Sequence, residues 1–152
     1  MYKRQLEYPN GVVADQLETW LHAGLMAAAP ERTGAPLVDP AGEGSVEDRA
    51  RSWLHTNCGS CHRPGEQDRV SLDLRWGVPL GETGACDVAP SAGDLGIDDA
   101  RVIAPGDPAR SVLIARIADI GAARMPPVGV TTVDAEGLAL ITAWVEGLAG
   151  CE

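Results

Sequence analysis

Two of the chain's four cysteines and two of its three histidines fall in one short stretch, HTNCGSCHRPG, from His55 to Gly65. Cys58 and Cys61 stand three positions apart, and His62 follows directly behind the second. Two thiols and an imidazole so placed admit three chemistries: a thiol–disulfide redox centre, half of a zinc site, or a covalent haem anchor. A zinc site needs four ligands, commonly a second cysteine pair or a second histidine pair. Here the other cysteines are isolated at Cys86 and Cys151, and the other histidines are His22 and His55. A thioredoxin-like dithiol expects a βαβ pattern around its C-x-x-C, which this chain lacks. C-x-x-C-H is itself the attachment pattern of c-type haem. On a helical turn, positions i, i+3 and i+4 share one face. Two thiols can then reach the two vinyl groups on one porphyrin edge while the imidazole turns to the iron. The two intervening positions should be small or adaptable, and Gly59 and Ser60 are both.

An electron-carrying haem iron usually takes a second axial ligand, and a methionine thioether raises its potential. The methionines are Met1, Met26 and Met125. Met1 is terminal, and Met26 belongs to a helical apolar run where core packing is the simpler role. Met125 stands in a loop stiffened by Pro126 and Pro127, 63 positions after His62. It is the expected sixth ligand, with His62 the fifth. His55 falls three residues before Cys58, on the His62 side of a macrocycle, and His22 reads as a surface or interhelix histidine.

The elements that must place these residues are helices joined by long loops. A first helix is expected from about Ala14 to Ala28, with Pro30 as its stop. Residues 1–12 read as loosely ordered, and residues 31–44, rich in Gly and Pro, read as a linker. A second helix starts at Ser45 with a capping-box-like SVED and runs into Cys58. From Arg63 to Pro105 the chain has little periodicity and many Gly, Pro and Asp residues, so it is expected to form loops wrapping a cofactor. Asp107 as N-cap and Pro108 at the first helical position predict a third helix reaching Gly121. A last helix is predicted from about Asp134, with Leu138, Ile141, Val145 and Leu148 as its stripe and Gly150 just past its end. No sheet and no internal repeat are evident. The expected organisation is an extension over residues 1–44 and one all-α domain over residues 45–152.

Composition narrows the partners. The chain has 152 residues, 45% of them hydrophobic, with no phenylalanine and only four tryptophans and two tyrosines. A small core short of aromatics is consistent with a large bound apolar group. The net charge of −10 repels a phosphate backbone, so no nucleic-acid partner is expected. No apolar run approaches the roughly 20 residues of a membrane span. Acidic residues precede Leu21–Pro30 where a signal peptide would carry basic ones, so that segment reads as a helix and any export signal as missing. Haem attachment of this kind occurs outside the reducing cytosol, where two spare cysteines usually pair. Cys86 and Cys151 are therefore expected to form an intrachain disulfide in a periplasmic or otherwise extracytoplasmic protein.

Three segments resemble the bacterial monohaem cytochromes c of class I type. They are WLHTNCGSCHRPG (Trp53 to Gly65), PGDPARSVLIAR (Pro105 to Arg116) and MPPVG (Met125 to Gly129). The resemblance is closest to modules found alone or fused to periplasmic dehydrogenases and planctomycete-type proteins. It covers roughly residues 45 to 150. It implies an all-α, class I cytochrome c-like fold with long loops around one haem c per chain. It also implies thioether links at Cys58 and Cys61, axial ligands His62 and Met125, and a crossing of the pre-anchor and final helices. DLRWGVPL (Asp73 to Leu80) resembles a segment near the haem edge, so Arg75 is expected to offer its guanidinium to a haem propionate and Trp76 its ring or N–H. Arg124, beside the ligand, reads as an exposed arginine, with a propionate or partner contact as the alternative, and Trp53 and Trp144 read as helix-crossing core.

The function expected from these readings is single-electron transfer to a redox protein, not enzymatic catalysis. Asp98–Asp99 and Glu47–Asp48 read as loop and helix N-terminus and not as catalytic pairs. Two alternatives stand beside it: the electron-accepting haem domain of a larger periplasmic oxidoreductase, and a haem sensor or peroxidase with an open sixth site.

Overall fold

A computed structural model of the chain describes residues 5–7, 9–11, 13–29, 36–65 and 71–152. Met1, Pro30 and residues 31–35 of the expected linker lie outside the described residues. The protein is mostly helical with little strand. It divides into two units, Met1–Pro36 and Leu37–Glu152.

In the first unit, strands β1 (Gln5–Glu7) and β2 (Val13–Asp15) pair antiparallel, with Gln5 opposite Asp15. The sequence reading gave no strand here, because runs of three residues carry no readable alternation. Helix α1 (Gln16–His22) starts at Asp15, whose carboxylate accepts the Leu17 and Glu18 N–H groups. It ends six residues before the predicted Ala28. Gly24 takes the left-handed conformation at φ +71°, the Leu25 N–H donates to the Trp20 carbonyl, and the Gly24 N–H donates to the Leu21 carbonyl. That is a Schellman motif, which closes a helix whatever apolar residues follow.

In the second unit, helix α2 (Val46–Asn57) is capped by Ser45, which accepts the Asp48 N–H at 3.0 Å and donates to the Asp48 carboxylate at 2.8 Å. Residues 37–44 belong to this unit and are fastened to α2. The Val38 N–H donates to Ser52 Oγ, and Arg49 Nε donates to the Pro40 carbonyl. The buried Arg51 holds the next loop by donating to the carbonyls of Arg75 and Val78.

Helix α3 (Val112–Ala118) is shorter at both ends than predicted. Asp107 does cap a helical turn, but only the 3₁₀ turn Pro108–Arg110. At Ser111 the backbone becomes extended, because neighbouring polar groups bond to the segment 101–104 instead of continuing a helix. The Arg101 N–H donates to the Arg110 carbonyl, while the Val112 and Leu113 N–H groups donate to the carbonyls of Arg101 and Val102. Buried Ser111 secures the junction through its Oγ, which accepts the Ala104 N–H. At the far end, Asp119 folds back to accept the Gly121 and Ala123 N–H groups, which starts a turn.

Helix α4 (Ala135–Gly147) begins where predicted, and the structure makes Asp134 its N-cap. It crosses α2, and Ala50, Trp53 and Leu54 pack with Leu140, Ile141, Trp144 and Val145 in one core that also takes Ile103, Leu113 and Ile117. The crossing is close: a Cβ on Gly137 would collide with the Trp53 indole. Among the described residues between α2 and α3 the chain is loop, apart from the 3₁₀ turns Leu80–Glu82 and Pro108–Arg110 and the isolated bridges Cys86–Ile103 and Arg101–Ser111. Cys86 and Cys151 form a disulfide, as expected, and tie the middle loop to the end of the chain. No described helix is long and apolar enough to cross a membrane.

Candidate functional site

The C-x-x-C-H stretch continues α2 by one further turn. The Cys58 N–H donates to the Leu54 carbonyl, and the Cys61 and His62 N–H groups both donate to the Cys58 carbonyl. Gly59 is required by close approach, since a Cβ there would lie 2.8 Å from the His55 carbonyl oxygen. The His62 carbonyl accepts the Leu74 N–H, which binds the turn to the segment that follows.

This turn forms one wall of a cleft that is partly open to solvent. Cys58 and His62 line it together with Leu72 and Leu74. Val112, Leu113, Arg116 and Ile117 of α3 form a second wall, with Pro90–Ala92 and Val102 beside them. Met125 completes the lining, from a loop whose backbone is fixed by a bond from its own N–H to the Arg116 carbonyl at 2.9 Å. A cysteine and a histidine of one turn, and a methionine 63 residues further on, thus face one space walled mainly by aliphatic side chains.

The electrostatics favour neutral groups. Burial, reinforced by the neighbouring Cys61, pushes the Cys58 thiol up to about 12. A thiol so protonated is a poor nucleophile in disulfide exchange and a poor thiolate ligand. Burial also lowers the His62 pKa from its ordinary value, keeping the imidazole neutral and a nitrogen lone pair available. Its Nδ1 is buried with no hydrogen-bond partner among the described residues. Among those residues no three His, Cys, Asp or Glu side chains gather as a metal-ion cage. A neutral imidazole, a thioether and an apolar wall fit a haem.

The other expected site residues stand elsewhere. Cys61 is exposed and Arg75 and Trp76 lie outside the cavity lining. Arg75 points its guanidinium at Asp73, with Nε to Oδ1 at 2.8 Å and Nη2 to Oδ2 at 2.6 Å. The Trp76 backbone N–H donates to His55 Nδ1 at 3.1 Å, so His55 acts as an acceptor fixing this loop. Arg124 donates from Nη1 to the Gly121 carbonyl, and its buried Nε has no partner among the described residues. His22 and Met26 belong to the first unit.

Arg116 is a charged lining residue to which sequence reasoning gave no role at the site. Its Nη1 donates to the Ala123 carbonyl at 3.1 Å and its Nη2 to the Ala92 carbonyl at 2.8 Å. A signal did exist: a permanent charge in the apolar stripe Val112, Leu113, Ile117 of a short helix. No protein-family model matches the chain, and neither curated proteins nor solved structures include a significant match.

Proposed function

We propose that the cavity holds one covalently bound haem c and that the protein carries single electrons, with the second unit serving as a class I cytochrome c-like domain. The observation carrying this reading is that Cys58 and His62 of a C-x-x-C-H turn share one apolar cavity with Met125. When bound, the haem supplies the one-electron ferric–ferrous couple. Cys58 and Cys61 would hold it through thioether bonds. His62 would offer a neutral ring nitrogen and Met125 a soft neutral sulfur, a pair that favours a raised potential. Leu72, Leu74, Val112, Leu113 and Ile117 would pack against the bound group and shield it from water, and burial is one of the levers by which a protein tunes such a potential. The disulfide supports an extracytoplasmic location, such as the periplasm. A redox protein or a fused catalytic domain would be the partner.

The test is a reduced-minus-oxidised absorption spectrum of the haem-loaded wild type beside Met125→Ala. A low-spin spectrum in the wild type and a high-spin one in the variant are expected. An unchanged spectrum and potential in Met125→Ala would remove Met125 as a ligand. Rapid binding of carbon monoxide by the reduced wild type would favour a sensor or peroxidase with an open sixth site.

A further inference from the structure

Building on the haem reading above, we infer that Arg116 is the positioning residue for the Met125 ligand. Its own carbonyl holds the Met125 N–H at 2.9 Å, and its guanidinium holds the Ala123 carbonyl two residues earlier at 3.1 Å. The second arm of the same fork reaches the Ala92 carbonyl at 2.8 Å, in the segment Pro90–Ala92 of the cavity wall. One residue thereby fixes the ligand loop at two points and joins it to the loop beside it.

Placing a guanidinium in a wall otherwise made of Val112, Leu113 and Ile117 is unfavourable unless its donors are bonded. Both of these bonds go to backbone carbonyls, and among the described residues the guanidinium forms no ion pair with an acid, so the charge serves to hold loop backbone. The turn carrying Met125 is built outward from the end of α3 by Asp119, which accepts the Gly121 and Ala123 N–H groups. Asp119 sets the start of the turn. Arg116 sets where the sulfur end comes to rest. A planar fork with fixed donor directions can hold both carbonyls at once, whereas a lysine ammonium is a point charge on a flexible stem.

The test uses the haem-loaded full chain as wild type, Arg116→Gln, Arg116→Lys and Met125→Ala. Two quantities are read: the rate of carbon monoxide binding to the reduced protein, and amide hydrogen exchange at residues 91–92 and 123–125. Loss of charge-assisted hydrogen bonds predicts that Arg116→Gln raises both about ten- to a hundredfold, with α2 and α4 exchanging as in the wild type. Arg116→Lys should fall between the two, and it decides the matter if the glutamine variant does not fold. If the Arg116 variants match the wild type while Met125→Ala binds carbon monoxide rapidly, the inference is overturned and the haem reading stands. Exchange rising equally in α2 and α4 would also overturn it, because the arginine would then only stabilise the fold. If Met125→Ala itself behaves as wild type, the ligand assignment fails and this inference fails with it.

Discussion

The Asp134 carboxylate serves two helices at once. One oxygen caps α4 by accepting the Gly137 N–H at 3.0 Å, and the other accepts Trp53 Nε1–H of α2 at 2.9 Å. The Gly137 N–H, then the Trp53 indole, then the Glu136 N–H favour the charged form and lower its pKa, against an opposing effect of burial. A carboxylate lowered on folding contributes stability above its unfolded pKa of about 3.9, and that contribution fades as pH falls through the folded value. Asn can still cap the helix, but its amide nitrogen cannot accept the Trp53 N–H. Asp134→Asn is therefore expected to be less stable than wild type at neutral pH by about 1 kcal/mol, the scale of one lost hydrogen bond. The gap should narrow in acid denaturation series below about pH 4. A gap independent of pH would show that the ionised form adds nothing. Asp134 was legible from sequence as the start of the last helix, but its bond to Trp53, 81 residues away, was not. Cys58, His62 and Met125 were legible because their side-chain chemistry is rare and their order is specific. Arg116 was overlooked because its partners are backbone carbonyls, which every residue carries.

Among elements, the crossing of α2 and α4 turns on Gly137. Glycine inside a helix normally costs about 1 kcal/mol relative to alanine, so propensity alone makes Gly137→Ala stabilising. The geometry reverses the sign, because the new methyl would meet the Trp53 indole and the Asp134 carboxylate. Urea unfolding should show a loss of about 1–3 kcal/mol, the usual range for overpacking. A gain would mean that the crossing can widen freely. The helices that matched expectation, α2 and α4, announce themselves locally through caps followed by apolar periodicity. The two that were misjudged were cut short by backbone events. At Gly24 the left-handed residue ends α1, and at Ser111 the segment 101–104 captures N–H and carbonyl groups that a longer α3 would have used. The first event had a visible cue in the glycine. The second depends on pairing with a segment folded elsewhere, and no local pattern reports it.

At the scale of the whole molecule, the second unit covers its loop-rich middle with few aromatic side chains and relies on tethers. Arg51 is one, and the Cys86–Cys151 disulfide is another. Closing a loop of 65 residues in the unfolded chain corresponds to about 4 kcal/mol by the chain-entropy relation. The double variant Cys86→Ser, Cys151→Ser should therefore unfold at a markedly lower temperature in calorimetry, and reducing agent should destabilise the wild type similarly. An unchanged melting temperature would show that the bridge merely decorates a fold already complete. The bridge also divides the cavity covalently: Met125 lies inside the closed loop, whereas Cys58 and His62 lie before it. A protease that cuts the backbone once between Cys86 and Cys151 would leave a nicked molecule, not two fragments. Its Met125 limb would stay fastened to the limb bearing His62, so the site could outlast a broken chain in surroundings where proteases are abundant.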